Sequence, residues 1–150
     1  MLIIYVDADA CPVKNETFRV AIRHNLQVYL VSNGRLNMVV DKNVHKIQVT
    51  SDPDAADNWI EEHIETGDIV VTADILLADR CLKKDASAIS PTGLIFNNNN
   101  IGIAKSMRNL RAHLRETGVA SSYNATFSKQ DRSHFLRTLE EIIQLIKRQS

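Results

Sequence analysis

Cysteine is nearly missing from this chain: Cys11 and Cys81 are the two in 150 residues, which gives neither a disulfide framework nor zinc-ligand spacing. Glycine is scarce as well, with five residues, and none builds a phosphate-cradling loop or a dinucleotide-binding fingerprint. No apolar stretch is long enough to span a bilayer. The opening apolar run is too short for a signal peptide and meets Asp7 too soon, so a cytoplasmic protein with no membrane association is expected. The five histidines (His24, His45, His63, His113 and His134) are scattered, unpaired at metal spacing, and read as surface residues. No arginine lies near Cys11 at the spacing a phosphatase thiol loop needs, so Cys11 reads as a small, partly buried residue rather than a thiol of lowered pKa. No internal repeat or second domain is visible, and residues 1–150 are read as one domain with a core that needs no disulfide.

Net charge is absent too, with 18 Lys+Arg against 18 Asp+Glu, but the balance hides an asymmetry. Residues 1–104 carry 9 basic against 14 acidic side chains, a net of −5, and residues 105–150 carry 9 against 4, a net of +5. An acidic part suited to cations precedes a basic part suited to phosphates, a pattern compatible with nucleic acid as a partner.

What is present begins with Leu2-Ile3-Ile4-Tyr5-Val6, an apolar run that reads as a strand buried on both faces and stops at Asp7 and Asp9. A helix is expected over 12–25, with Pro12 in its first position and Val13, Phe18, Ala21 and Ile22 on its apolar face. Strands are expected over 26–31 and 46–50, with a loop or short extended piece around 38–40 between them. A helix over 51–65 takes Asp52 as its cap and Pro53 in its first turn, and Asp54 and Asp57 share a face. A strand over 69–72 ends at Ala73-Asp74 and feeds a helix over 75–84, in which Asp79 reads as an exposed neighbour of Arg80. Residues 87–90 form a candidate fifth strand and 94–96 a short extended piece after the turn Pro91-Thr92-Gly93. A helix over 101–117 is expected to bury Ile103, Met107, Leu110 and Leu114. It presents Lys105, Arg108, Arg111 and Arg115 as a basic stripe able to track phosphates. A polar linker, 120–126, leads to a last helix from Ser128 with Phe135, Leu139, Ile142 and Ile146 along one face, broadened by Leu136 and Ile143.

Strand and helix alternation predicts a three-layer α/β fold: a mostly parallel sheet of about five strands flanked by helices, with a helical C-terminal segment. In such sheets ligands bind outside the carboxyl ends of the strands. The acids at strand ends and helix starts are Asp7, Asp9, Asp54, Asp57 and Asp74, and Ser32 and Thr72 are strand-end hydroxyls available to the same pocket. Hard cations such as Mg²⁺ or Mn²⁺ take carboxylate and water oxygens, and can activate a water and stabilise a leaving oxygen in phosphodiester cleavage.

Asp7-Ala8-Asp9-Ala10-Cys11-Pro12, Ala56-Asp57, Gly67-Asp68-Ile69-Val70-Val71-Thr72-Ala73-Asp74-Ile75, Asn100-Ile101 and Asp131-Arg132 with Phe135 resemble the blocks of the YaiI/YqxD family of uncharacterised bacterial proteins. That family is similar in turn to PIN-domain-like nucleases. The resemblance implies a PIN-like fold and a metal set of Asp7, Asp57 and Asp74, with Thr72 beside it and Asp9 as an extra oxygen donor. The chain departs from the pattern where a further acid is expected, leaving Asn97 or Asp131 as stand-ins. Thr92 stands where the family turn has arginine, and Leu76 replaces a usual proline.

Three functions fit these residues. The first is a Mg²⁺- or Mn²⁺-dependent nuclease acting on RNA or single-stranded ends, with Asp7, Asp9, Asp57 and Asp74 at the reacting centre and Lys105, Arg108, Arg111 and Arg115 on the backbone. The second is a haloacid-dehalogenase-like phosphohydrolase in which Asp7 is the nucleophile and Asp9 the acid/base, although Gly67-Asp68 precedes a strand instead of following one. The third is a non-catalytic module that binds metal and RNA. Oligomeric state is not legible in the sequence.

Overall fold

Runs of isoleucine and valine form the middle of a six-stranded sheet in the computed structural model, which describes residues 2–9, 11–38, 40–116 and 127–149, with backbone alone at 114–116. Strands β1 (Ile3–Asp7), β2 (Gln27–Ser32), β3 (Val44–Gln48), β4 (Ile69–Val71), β5 (Ser87–Ile89) and β6 (Ile95–Phe96) lie in the order β3-β2-β1-β4-β5-β6. All neighbours are parallel except β6, which returns antiparallel on β5. Helices α1 (Lys14–Arg23), α2 (Ala55–His63), α3 (Ile75–Leu82), α4 (Ile101–Glu116) and α5 (Lys129–Gln149) complete the described elements.

Successive strand residues point to opposite faces, and this period of two sorts the core. Ile4, Val6, Val28, Leu30, Ile69 and Val71 face one way, into a layer with Phe18 and Ala21 of α1 and Phe135, Leu139 and Ile143 of α5. Tyr5, Val31, Val70 and Ala88 face the other way, against Ala56 and Ile60 of α2 and Leu77, Ala78 and Cys81 of α3. The result is the expected three-layer α/β arrangement, compatible with a PIN-like fold, with one strand more than the sequence suggested. Among the described residues no helix is long and apolar enough to cross a membrane.

Several local expectations are corrected. Helix α1 starts two residues after Pro12: Cys11 to Val13 form a turn, and Thr17 N–H reaches Val13 O at 3.0 Å. Helix α2 starts at Ala55, so Asp52 is not its cap; the Asp52 carboxylate accepts from Thr50 Oγ1 at 3.2 Å instead. Strand β3 sits two residues earlier than read, because buried Val44 pairs with Val28 in the sheet. Ile22 is 44% exposed, beyond the reach of the α1–α5 contact. The expected linker at 120–126 and the side chains of Leu114 and Arg115 lie outside the described residues.

With glycine so rare, two helices end on other residues in the left-handed region. Asn25 (φ 56) closes α1, where Leu26 N–H reaches Ala21 O at 2.8 Å. Asp85 (φ 60) closes α3 in the same way, with Ala86 N–H on Cys81 O at 3.2 Å. Asparagine and aspartate tolerate this conformation better than other side chains because their short polar groups bond locally.

The largest departure is α4. It packs on α3 near its start, where Ile101 is buried, but Ile103 is 69%, Met107 44% and Leu110 49% exposed. Helix α4 follows an edge strand, so only its first turn reaches the sheet, and the apolar stripe expected to be covered faces outward.

Candidate active site at the carboxyl edge of the sheet

The alternation that sorts the core also aims the acids. Asp7 follows Tyr5 by two residues and pairs with Val31, so it belongs to the face covered by α2 and α3. Thr72 follows Val70 by two and belongs to that face too. Its hydroxyl donates to Asp7 Oδ2 at 2.9 Å and accepts from the Asp74 backbone N–H at 2.9 Å. Asp74 is the cap of α3, its Oδ1 accepting from Leu76 N–H at 2.9 Å and Leu77 N–H at 3.3 Å. Asp57 comes from the first turn of α2, close enough to Asp74 and Asp7 for both carboxylates to act on it.

Charge repulsion and burial act together on this trio. The Asp7 carboxyl is pushed from 3.8 up to about 6 by burial, with further upward pressure from Asp9 and Asp74 against the lowering Thr72 hydrogen bond. Asp57 is pushed up to about 6 by burial and by the Asp74 and Asp7 carboxylates, and Arg80 relieves it in part. Arg80 itself is held by Glu61 and by Asn58 Oδ1, the latter at 2.8 Å. Three half-buried acids therefore face one another with little positive charge to balance them. Among the described residues no group of three or more His, Cys, Asp or Glu stands ready to hold a metal ion as placed.

Asp9 and Ser32 form a separate unit. Ser32 Oγ donates to Asp9 Oδ1 at 2.6 Å, Asn33 N–H donates to Asp9 Oδ2 at 3.1 Å, and Ser32 Oγ accepts from Gly34 N–H at 2.9 Å. Ser32 points, by strand parity, to the face opposite Asp7, so its hydroxyl is spent on the loop after β2. Asp54 is exposed and caps nothing with its side chain. Both candidate stand-ins for a fourth acid are committed to helix starts: Asn97 Oδ1 accepts from Asn99 and Asn100 N–H, each at 2.9 Å, and Asp131 Oδ2 accepts from Ser128 N–H at 3.0 Å.

Of the basic stripe, Lys105 pairs with Asp79 at 3.2 Å, while Arg108 and Arg111 are exposed on α4. Asp79 is thus no idle neighbour of Arg80: Lys105 and Lys83 hold its carboxyl below the usual range against the burial that opposes them. The Cys11 thiol is pushed up by burial, so it is no activated nucleophile. His24 is largely buried against Glu140, at 2.8 Å, in contrast to the surface role expected of it.

One arrangement escaped the sequence reading. Glu16 of α1 is 4% exposed and pairs with Arg132 of α5 at 3.2 Å and with Arg19 at 3.6 Å. Its place three residues after Val13, on the side of α1 that meets the core, is the signal that could have found it.

Comparison with known proteins accounts for this set of elements. The model of the YaiI/YqxD family, described as an uncharacterised BCR family, matches residues 5–145. The chain belongs to the YaiI/YqxD family. A UPF0178 protein of Rhodospirillum rubrum is 52% identical over 146 residues, covering 97% of each chain. A UPF0178 protein of Rhizobium meliloti is 51% identical over 145 residues, covering 97% of this chain and 99% of its own. A third, from Agrobacterium fabrum, is 51% identical over 145 residues, covering 97% of this chain and 95% of its own. No solved structure matches significantly. The family model thus spans the chain from β1 into α5.

Proposed function

We propose that this YaiI/YqxD protein is a phosphodiesterase acting on nucleic acid with the help of Mg²⁺ or Mn²⁺. The observation that carries the reading is the gathering of Asp7, Asp57 and Asp74 at the carboxyl edge of a parallel sheet, where burial first and neighbouring carboxylates second raise Asp7 and Asp57 to about 6. Acids held together against repulsion favour whatever neutralises them, a proton at low pH or a hard cation at neutral pH. The donor chemistry suits such an ion, since every group is a carboxylate and Thr72 orients Asp7, and the three acids would have to draw closer to surround it. A bound divalent cation supplies charge neutralisation at a phosphate oxygen and a more acidic water.

The protein's own groups have distinct parts in this reading. Asp7, Asp57 and Asp74 hold the cation, Thr72 fixes one oxygen of Asp7, and Arg108 and Arg111 attract the phosphate backbone. Asp9 keeps the β1 and β2 ends in register, a role its two hydrogen bonds support better than acid/base chemistry. That engagement also weakens the phosphohydrolase alternative, which needs Asp9 free. The absence of a ready three-acid ion site among the described residues, with Asn97 and Asp131 committed elsewhere, favours a second reading as a non-catalytic nucleic-acid-binding module.

One experiment separates them: incubation of wild type and Asp7→Asn with Mn²⁺ and a mixed pool of single-stranded oligonucleotides, beside calorimetric Mn²⁺ titration. Cleavage and cation binding that both disappear in Asp7→Asn support the enzyme. Oligonucleotide binding without cleavage supports the module.

A further inference from the structure

The outward-facing side of α4 is not uniform. Ile103 and Met107 line a groove of about 560 Å³ together with Leu94, Ile75, Phe96 and Phe127. This volume lies within the range of about 300–1,000 Å³ typical of small-molecule pockets. Ala73, the residue between Thr72 and Asp74, lines the same groove, as does Pro12 in the turn after β1. The apolar groove therefore borders the edge where the acids gather, although none of the three acids lines it.

Its polar groups are already engaged. Ser90 Oγ bonds Thr92 Oγ1 at 2.9 Å and Leu94 N–H at 3.0 Å, and Asn100 Nδ2 donates to Ile95 O at 2.8 Å. Arg111 is the cation among the described lining residues. A planar ring with apolar faces, polar edges left to solvent and a negative charge at one end suits a lining that holds Phe96, Phe127 and Arg111, and a nucleotide has that form.

We propose that this groove is a subsite for an unpaired nucleobase of a single-stranded nucleic acid, with Arg111 on a phosphate beside it. The proposal rests on the acid edge as the reacting centre and names its substrate: strands whose bases are free to leave the stack. Base pairing would keep the base from the groove, so duplexes are excluded. With its hydrogen-bonding groups spent on the turn and the α4 start, the groove reads the base by apolar contact and shape, and sequence preference is weak.

The test is fluorescence anisotropy with short labelled single-stranded RNA and DNA in chelator, which halts cation-dependent cleavage. Wild type is compared with Met107→Glu, Ile103→Ser and Arg111→Gln. Ile103 and Met107 are exposed, so these changes leave folding intact, which a thermal melt verifies. Expected are a loss of about tenfold or more in affinity for Met107→Glu and Ile103→Ser, equal weakening of wild type when the strand carries abasic sites, and a shallower salt dependence for Arg111→Gln. Unchanged affinity in the two apolar variants overturns the subsite, even where Mn²⁺-dependent cleavage by wild type upholds the acid edge. Base-dependent binding without cleavage upholds the subsite and removes the enzyme. Sedimentation showing a dimer that Met107→Glu dissociates, with strand affinity unchanged, makes the face a contact between two copies and overturns the proposal.

Discussion

Asp7→Asn is expected to make the protein more stable at neutral pH, because the native carboxylate is held where its charge is unwelcome. In the folded state Asp7 takes up its proton at about 6, against an ordinary value of 3.8. Between those values the folded protein holds a proton that the unfolded chain has released, so stability falls as pH rises through the window and stays low above it. At about 1.4 kcal/mol per pH unit the ceiling is about 3 kcal/mol, and screening by solvent at a half-buried site brings it to about 1–2 kcal/mol. Asparagine keeps an oxygen for the Thr72 hydroxyl and removes the charge. The assay is urea unfolding in chelator at about pH 4 and about pH 7, read by fluorescence of Trp59, the single tryptophan, which packs against Tyr5 and Tyr29. The variant should gain about 1–2 kcal/mol at neutral pH, a rise of roughly 3–6 °C in melting temperature, and little or nothing at acid pH. A variant less stable than wild type at neutral pH, with an unchanged pH slope, would refute the argument that repulsion and burial load this carboxylate.

Two further outcomes concern stability away from the site. Arg132→Met should cost about 1–2 kcal/mol in thermal unfolding, because it strips buried Glu16 of its cross-helix partner and leaves it the more distant Arg19; Glu16→Gln in the same background should recover much of the loss. Gly93→Ala should destabilise by about 2 kcal/mol or more in denaturant titration, since φ at this turn is 89° and a Cβ would come within 2.9 Å of the His134 backbone carbon.

Much of this architecture was legible because strand and helix periodicities are strong where both faces are buried. The Ile-Val runs of β1 and β4 could hardly be anything else, and the strand-helix order then implied parallel pairing. Strand parity, present in the same letters, separates Asp7 and Thr72 from Ser32, which lies one residue beyond Val31 and so turns to the other face. Reading Ser32 as a pocket hydroxyl overlooked that step. Helix α4 was misread for a different reason. An amphipathic stripe announces that a face is apolar, not what covers it, and the short edge strand β6 leaves α4 reaching past the sheet. Buried Glu16 went unseen because a charged residue in a first helical turn is ordinary, and its partner Arg132 lies more than a hundred positions away. The convergence of Asp7, Asp57 and Asp74 followed from topology alone. Their unequal commitments, with Asp74 capping α3 and Asp9 tied to the β2 loop, required side-chain geometry.

The hydroxyl of Thr72 gives the site a handedness. It receives the Asp74 amide on its own oxygen, and its single hydrogen goes to Asp7 Oδ2, since an ionised carboxylate can only accept. The two oxygens of Asp7 are consequently unlike. Oδ2 is anchored to the sheet edge by Thr72, and Oδ1 is not. A threonine-to-valine exchange at position 72 would erase that distinction without removing any acid.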